Sequence, residues 1–203
     1  VSNSKANTPV GLLSFLFFLS GVSSLVYQVS WQRILFSVFG ADIQSTTIVV
    51  SAFMLGLGVG AIGGGIASDK FPTRPLLLFA LCEVGIGSYG LISYMLIKEA
   101  GSFFAVSRVE MVAVINFSLV LIPATLMGGT LPILVRHVAR LWGNVGKATG
   151  QMYSANTLGA ALGAVLCGFV LLNYLSLSQV LVIAALINLS VAFVALLFLR
   201  KRG

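Results

Sequence analysis

Apolar residues in this chain come in long unbroken runs, with neither the alternation of a half-buried strand nor the one-sided stripe of a soluble helix. Six runs follow one another, at roughly 10–39, 45–68, 75–97, 111–137, 148–173 and 178–199. Each is at least about as long as the ~20 apolar residues that carry an α-helix across the hydrocarbon core of a bilayer. The breaks have turn chemistry: Gly40-Ala41-Asp42 closes the first run, and Asp69-Lys70-Phe71-Pro72-Thr73-Arg74-Pro75 separates the second from the third. Leu141-Trp142-Gly143-Asn144 separates the fourth from the fifth, and 173–178 makes the tightest turn. The first run is too long for a secretory signal and has no small-residue cleavage site before the second, so it is read as a retained span. The predicted fold is an all-α transmembrane bundle of six helices, a single domain over 1–203.

Composition excludes a soluble fold. Of the residues, 58% are hydrophobic and 8% are charged, whereas soluble domains carry about a quarter charged residues. No segment is long enough for a separate soluble domain, so a water-facing catalytic unit is expected on another chain or on a removed part, for which the start at Val1 leaves room. Positive charge then orients the spans. With an even number, both termini share a side, which collects Lys5, Lys70, Arg74, Arg136, Arg140, Lys147, Arg200, Lys201 and Arg202; the other has only Lys98 and Arg108, beside Glu99 and Glu110. Such asymmetry predicts a multi-pass membrane protein with both termini cytoplasmic. The net charge of +7 therefore needs no nucleic-acid partner. The partner is the bilayer, with the basic tail 200–202 as a stop signal near anionic lipid.

Small residues pattern two of the spans. Gly56, Gly60 and Gly64 fall on one face of the second, and Gly159 and Gly163 recur in the fifth, beside Ala160, Ala164 and Gly168. Small residues four apart let membrane helices approach closely. Taken as two triplets, the glycine-rich helix is the middle member of each. The first member carries the more polar interior, Gln28, Gln32 and Arg33 in one and Asn116, Pro123 and Thr125 in the other. A three plus three inverted repeat has this form.

Ionisable groups within spans are functional candidates because of what they cost. Arg33 lies in the amphipathic stretch Tyr27-Gln28-Val29-Ser30-Trp31-Gln32-Arg33 and has two readings, snorkelling to the interface or facing a solute. Glu83 lies eight residues past Pro75, about 12 Å into the membrane at the helical rise, too deep for a short side chain to snorkel. It is a candidate for coupling protons or balancing a cationic solute; the structural alternative is an ion pair with Arg136 or Arg140. Pro123 interrupts the fourth helix near its middle, followed by Gly128, Gly129 and Pro132. A broken helix at this depth is tolerated only against protein or a water-filled cavity, so Pro123, Thr125, Gly128, Gly129 and Thr130 are read either as a hinge or cavity wall, or as a kink that serves packing.

No catalytic set is expected. His137 is the only histidine, and no cysteine or carboxylate is spaced with it for a metal site. Cys82 and Cys167 fall in apolar runs, where a lone cysteine behaves as a small hydrophobe. The glycine run of the second span follows no strand and is no phosphate loop. The expectation is no enzyme, no metal and no cofactor within these residues.

The stretch Gly65-Ile66-Ala67-Ser68-Asp69-Lys70-Phe71-Pro72-Thr73-Arg74 resembles the signature between the second and third helices of the major facilitator superfamily. The resemblance implies a cytoplasmic junction in which Gly65, Asp69, Lys70 and Arg74 lock one state and release another. Twelve spans are usual there and six are present, so the chain is similar to one half of such a transporter. Further strings are Phe18-Leu19-Ser20-Gly21, Leu25 to Arg33, Glu83-Val84-Gly85-Ile86-Gly87, Pro123 to Pro132, and Tyr153-Ser154-Ala155-Asn156-Thr157-Leu158-Gly159-Ala160. They resemble the membrane region of bacterial proteins in which a facilitator-like bundle is fused to a spermidine-synthase-like domain, which in that family follows the last helix. The end at Gly203 then implies either a truncated membrane part or a member without the enzyme.

Two functions follow as expectations. In the first, two copies pair as a homodimer around a central cavity and move a small polar or cationic solute, polyamine-like in the light of the resemblance, by alternating access. Tyr27, Gln28, Gln32 and Arg33 line the outer cavity, Glu83 couples or balances charge, and Asn116 and Asn156 add hydrogen bonds to the solute. In the second, the bundle is a non-transporting anchor or sensor for a spermidine-synthase-like aminopropyltransferase.

Overall fold

In a computed structural model the described residues are 8–39, 42–103 and 109–200. They form six long helices: α1 (Thr8–Phe39), α2 (Asp42–Lys70), α3 (Pro75–Phe103), α4 (Val109–Trp142), α5 (Val145–Tyr174) and α6 (Leu177–Arg200). Each contains a segment long and apolar enough to cross a membrane, and no strand occurs among the described residues. The chain is therefore an all-α, multi-pass membrane bundle. Lys5, Gly40, Ala41, Arg108, Lys201 and Arg202, which entered the turn and charge arguments, lie outside the described residues.

Several helices overrun their apolar stretches. α3 continues past 97 to Phe103 and α4 past 137 to Trp142, because backbone hydrogen bonding persists into the interfacial zone after the side chains turn polar. α4 stops at Gly143, whose φ of +66° is the left-handed conformation that glycine adopts without a Cβ penalty. Its N–H donates to the Ala139 carbonyl at 2.8 Å. Asn144 then caps α5, its side chain accepting from the Lys147 N–H at 2.9 Å. α5 is α-helical to Leu166, widens into a π-helical turn over Cys167–Leu171 and ends in one turn, Leu172–Tyr174.

The expected break in the fourth helix is not present: α4 runs continuously through Pro123 and Pro132. Proline at 123 has no N–H for the carbonyl of Leu119, four residues back, and would leave that acceptor unpaired in a medium without water. Tyr89 of α3 supplies the missing donor, its hydroxyl meeting the Leu119 carbonyl at 2.7 Å. A side chain from a neighbouring helix thus heals the defect, and the helix continues.

Glycines set the pairing. α2 lies along α4 and α1 along α5, while α3 packs on α6 and α4. Gly60 abuts the Thr125 carbonyl and Gly64 the Gly129 backbone, so closely that a Cβ at either position would overlap α4's main chain. Gly159 and Gly163 stand in the same way against the carbonyls of Phe18 and Val22, and Gly21 of α1 meets the carbonyl of Asn156. Both contacts run parallel, in register. Without lipid-excluded hydrophobic gain to drive association, such backbone proximity supplies the van der Waals contact that holds membrane helices together.

Two apolar clusters fill the interior. One, built around Phe17, Phe79, Leu134 and Met152, occupies the half near the basic helix ends. The other, around Tyr27, Trp31, Phe53 and Val120, occupies the opposite half. In sequence, Ser20, Glu83 and Asn188 fall between the members of the two clusters on α1, α3 and α6, and all three are buried.

Candidate functional site

Glu83 is fully buried, and its two carboxyl oxygens are held by neutral donors from two other helices. The Ser20 hydroxyl of α1 donates to one at 2.6 Å, and the Asn188 side-chain amide of α6 donates to the other at 2.6 Å. The Ser20 carbonyl accepts from the Ser23 and Ser24 hydroxyls at 2.9 and 2.8 Å, which fixes the serine's turn of helix. A carboxylate shielded from water is tolerated only when its lone pairs are engaged. The remaining Asn188 oxygen has no hydrogen-bond partner among the described residues.

The ion-pair alternative for Glu83 does not hold. Arg136 pairs with Asp69 at the end of α2, and Arg140 donates to the Pro72 carbonyl in the α2–α3 turn. The reason is depth: both arginines follow Pro132 near the end of α4, level with the turn, whereas Glu83 lies more than two helical turns further in. Between these ends is a cavity of about 580 Å³ lined by Gly65, Ser68, Asp69, Arg136 and Arg140 among others. Of the junction residues, Gly65 and Asp69 line it, Lys70 lies over the Phe71 ring at 5.9 Å, and Arg74 is exposed, its N–H bonded to the Phe71 carbonyl at 3.1 Å.

At the other end, Gln32 and Arg33 line an open cavity of about 340 Å³ with Val29 and Phe36. The Gln32 amide donates to the Thr46 hydroxyl at 2.7 Å, tying α1 to α2, and Arg33 is exposed. Gln28 is half-buried one turn below. Tyr27, by contrast, is fully buried, stacked on Trp31 at a ring separation of 5.1 Å with its hydroxyl against Gly90. Asn116 is buried too and donates to its own helix at the Val112 carbonyl, 2.9 Å away. Asn156 is half-buried in the α1–α5 contact. The structure therefore brings Gln32 and Arg33 to one opening and keeps Tyr27 and Asn116 inside helix packing. Pro123, Gly128 and Gly129 lie on the buried face of α4, the two glycines against α2.

Sequence reasoning did not single out Ser20 or Asn188 as partners of Glu83, nor Tyr89 as the partner of Leu119. Polar residues in the most apolar stretches were the available signal, since Asn188 lies in a span of mean hydropathy 2.8. Among the described residues no three His, Cys, Asp or Glu side chains converge as a metal site.

No protein-family model and no solved structure matches the chain. Curated relatives do. A polyamine aminopropyltransferase of Oceanobacillus iheyensis is 26% identical over 189 residues, 92% of this chain and 36% of that protein. One from Corynebacterium efficiens is 29% identical over 187 residues, 90% of this chain and 34% of its own. The chain is homologous, at low identity, to part of these aminopropyltransferases. It spans about a third of the length of these curated relatives. An uncharacterized transporter of Rickettsia bellii is 34% identical over 83 residues, 41% of this chain and 20% of that protein.

Proposed function

We propose that these residues are the membrane domain of a spermidine-synthase-like protein, a non-transporting anchor or solute sensor for an aminopropyltransferase-like catalytic part. The observation that supports this most is similarity to polyamine aminopropyltransferases along 92% of this chain, in an alignment that takes in only 36% of the relative. In this reading 1–203 is a single transmembrane domain in the bacterial inner membrane with both termini cytoplasmic, and aminopropyl transfer is carried by a soluble part. The test has two arms. Expressed with a soluble aminopropyltransferase-like part, the bundle should retain it through detergent extraction, and the bundle alone in proteoliposomes should pass no polyamine under any imposed gradient. Saturable uptake would sink it.

A second reading, transport, draws support from the helix pairing. If α1 to α3 are exchanged with α4 to α6, the α1–α5 contact maps onto α4–α2, α3–α4 onto α6–α1, and α3–α6 onto itself. That is the pattern expected of a three plus three inverted repeat, as in half of a major facilitator bundle. In this reading two copies enclose the pathway, Gln28, Gln32 and Arg33 face a small polar or cationic solute, Glu83 couples protons or balances charge, and the Asp69–Arg136 pair with Lys70 and Arg74 closes the cytoplasmic side. It predicts saturable polyamine uptake that falls when Glu83→Gln is introduced, and a dimer by native mass measurement in lipid.

A further inference from the structure

We propose that the cavity between the basic ends of α2 and α4 is a phosphate-binding site that holds the headgroup of an anionic phospholipid. The proposal rests on what the cavity is made of and where it opens. Its volume is about 580 Å³, and Arg136, Arg140, Ser68 and Asp69 supply its side-chain polar and charged groups. A guanidinium carries five N–H donors, and the contacts made here use only part of them: Arg136 to Asp69, Arg140 to the Pro72 carbonyl. Those contacts tie each guanidinium to a helix end or turn, and both side chains line the same cavity. Arginine meets phosphate oxygens in pairs, with a geometry that lysine cannot reproduce. One carboxylate against two guanidiniums leaves the cavity with a net positive charge, and it is this surplus that selects an anion.

The rest of the lining is apolar, with Pro132, Val135, Ala139 and Val145. Ile66 of α2, next in sequence to the lining residue Gly65, and Val145 at the start of α5 are exposed apolar side chains. Trp142, with Lys147 over its ring at 4.8 Å, ends α4 two residues past Arg140, and tryptophan is enriched where hydrocarbon meets headgroups. A ligand that joins a phosphate to acyl chains matches a cavity whose lining combines two guanidiniums with apolar side chains. Basic pockets between membrane helices are known to take lipid headgroups in this manner.

The purified chain, in nanodiscs of equal phosphatidylglycerol and phosphatidylcholine, is extracted into mild detergent, and the retained lipids are measured by native mass spectrometry. We expect phosphatidylglycerol to be retained in preference, and Arg140→Gln or Arg136→Gln to reduce that preference about tenfold or more, the size of a lost charge-assisted hydrogen bond. Lys147→Gln removes a charge at the same boundary outside the lining and should change it little. Circular dichroism of each variant excludes loss of fold as the cause. Equal retention of the two lipids by the native chain would overturn the proposal. So would a K147Q effect as large as that of R140Q, which would reduce the preference to diffuse surface potential. Adding inorganic phosphate separates the sources: displacement of the lipid by millimolar phosphate would overturn the lipid assignment in favour of a soluble phosphate.

Discussion

The repair of α4 at Pro123 offers the sharpest test of the packing. Tyr89→Phe removes one oxygen and keeps the ring, so its whole effect passes through the hydrogen bond to the Leu119 carbonyl at 2.7 Å. A typical intramolecular hydrogen bond contributes about 1 kcal/mol net, and measured values between membrane helices run from about 0.6 on average to about 1.7 at most. The carbonyl is orphaned because residue 123 lacks an N–H, so an upper-range cost of about 1 to 1.5 kcal/mol is expected. Pro123→Ala restores an N–H four residues from Leu119 and gives the carbonyl an intrahelical partner. In that background Tyr89→Phe should cost nearly nothing. The four proteins form a double-mutant cycle, measured by reversible unfolding of the full chain in mixed micelles with increasing dodecyl sulfate. The coupling energy should approach the full cost of Tyr89→Phe alone. An equal cost in both backgrounds would refute the reasoning, because it would show that the tyrosine's contribution does not depend on the missing proline donor.

Three further outcomes follow from the same geometry. Gly60→Val places a branched side chain against the Thr125 carbonyl and should abolish recovery of folded protein, whereas Gly58→Ala, with nothing within 4 Å of the new Cβ, should leave the unfolding transition in place; detergent-extracted yield and micellar unfolding read both. Asp69→Asn breaks the pair with Arg136, whose members are 72% and 31% exposed, so the stability loss should stay below about 1 kcal/mol in the same unfolding measurement. Glu83→Leu leaves the Ser20 hydroxyl and the Asn188 amide facing a hydrocarbon side chain and should cost roughly 2 to 4 kcal/mol by unfolding, the desolvation penalty of two donors.

What the sequence made legible follows from what a bilayer demands. Length and apolarity alone locate six helices, since an unbroken apolar run of this length satisfies its backbone groups in lipid as a helix, whereas barrel strands are shorter and alternate, and an apolar run containing Glu83 announces a buried carboxylate. Gly56, Gly60 and Gly64 could be read as a packing face because their spacing is local. Which face they meet was not local: the partner backbone at Thr125 and Gly129 lies a whole helix pair away. The same limit hid the donors on Glu83. Ser20 is 63 residues away and Asn188 is 105 away, and neither has a neighbour in sequence that betrays the pairing. The partner of the carbonyl that Pro123 frees was hidden for a related reason, because it is a tyrosine in another helix.

The polar layer of Ser20, Glu83 and Asn188 bears on the choice between the two functional readings. A buried charged or polar set is a weak source of stability, and replacing such a set with well-packed apolar residues of similar volume is often neutral or stabilising. The layer interrupts two apolar clusters that would otherwise be continuous. An anchor needs only folding and a surface for its catalytic part. The triple change Ser20→Ala, Glu83→Leu, Asn188→Leu should therefore leave an anchor folded and still able to retain that part through detergent extraction. A sensor or transporter uses the carboxyl group itself, so the same triple variant should stay folded while losing its solute response or flux. Retained folding with unaltered activity in both assays would mean that the layer serves neither role. A triple variant less stable than Glu83→Leu alone would instead assign the three residues to architecture.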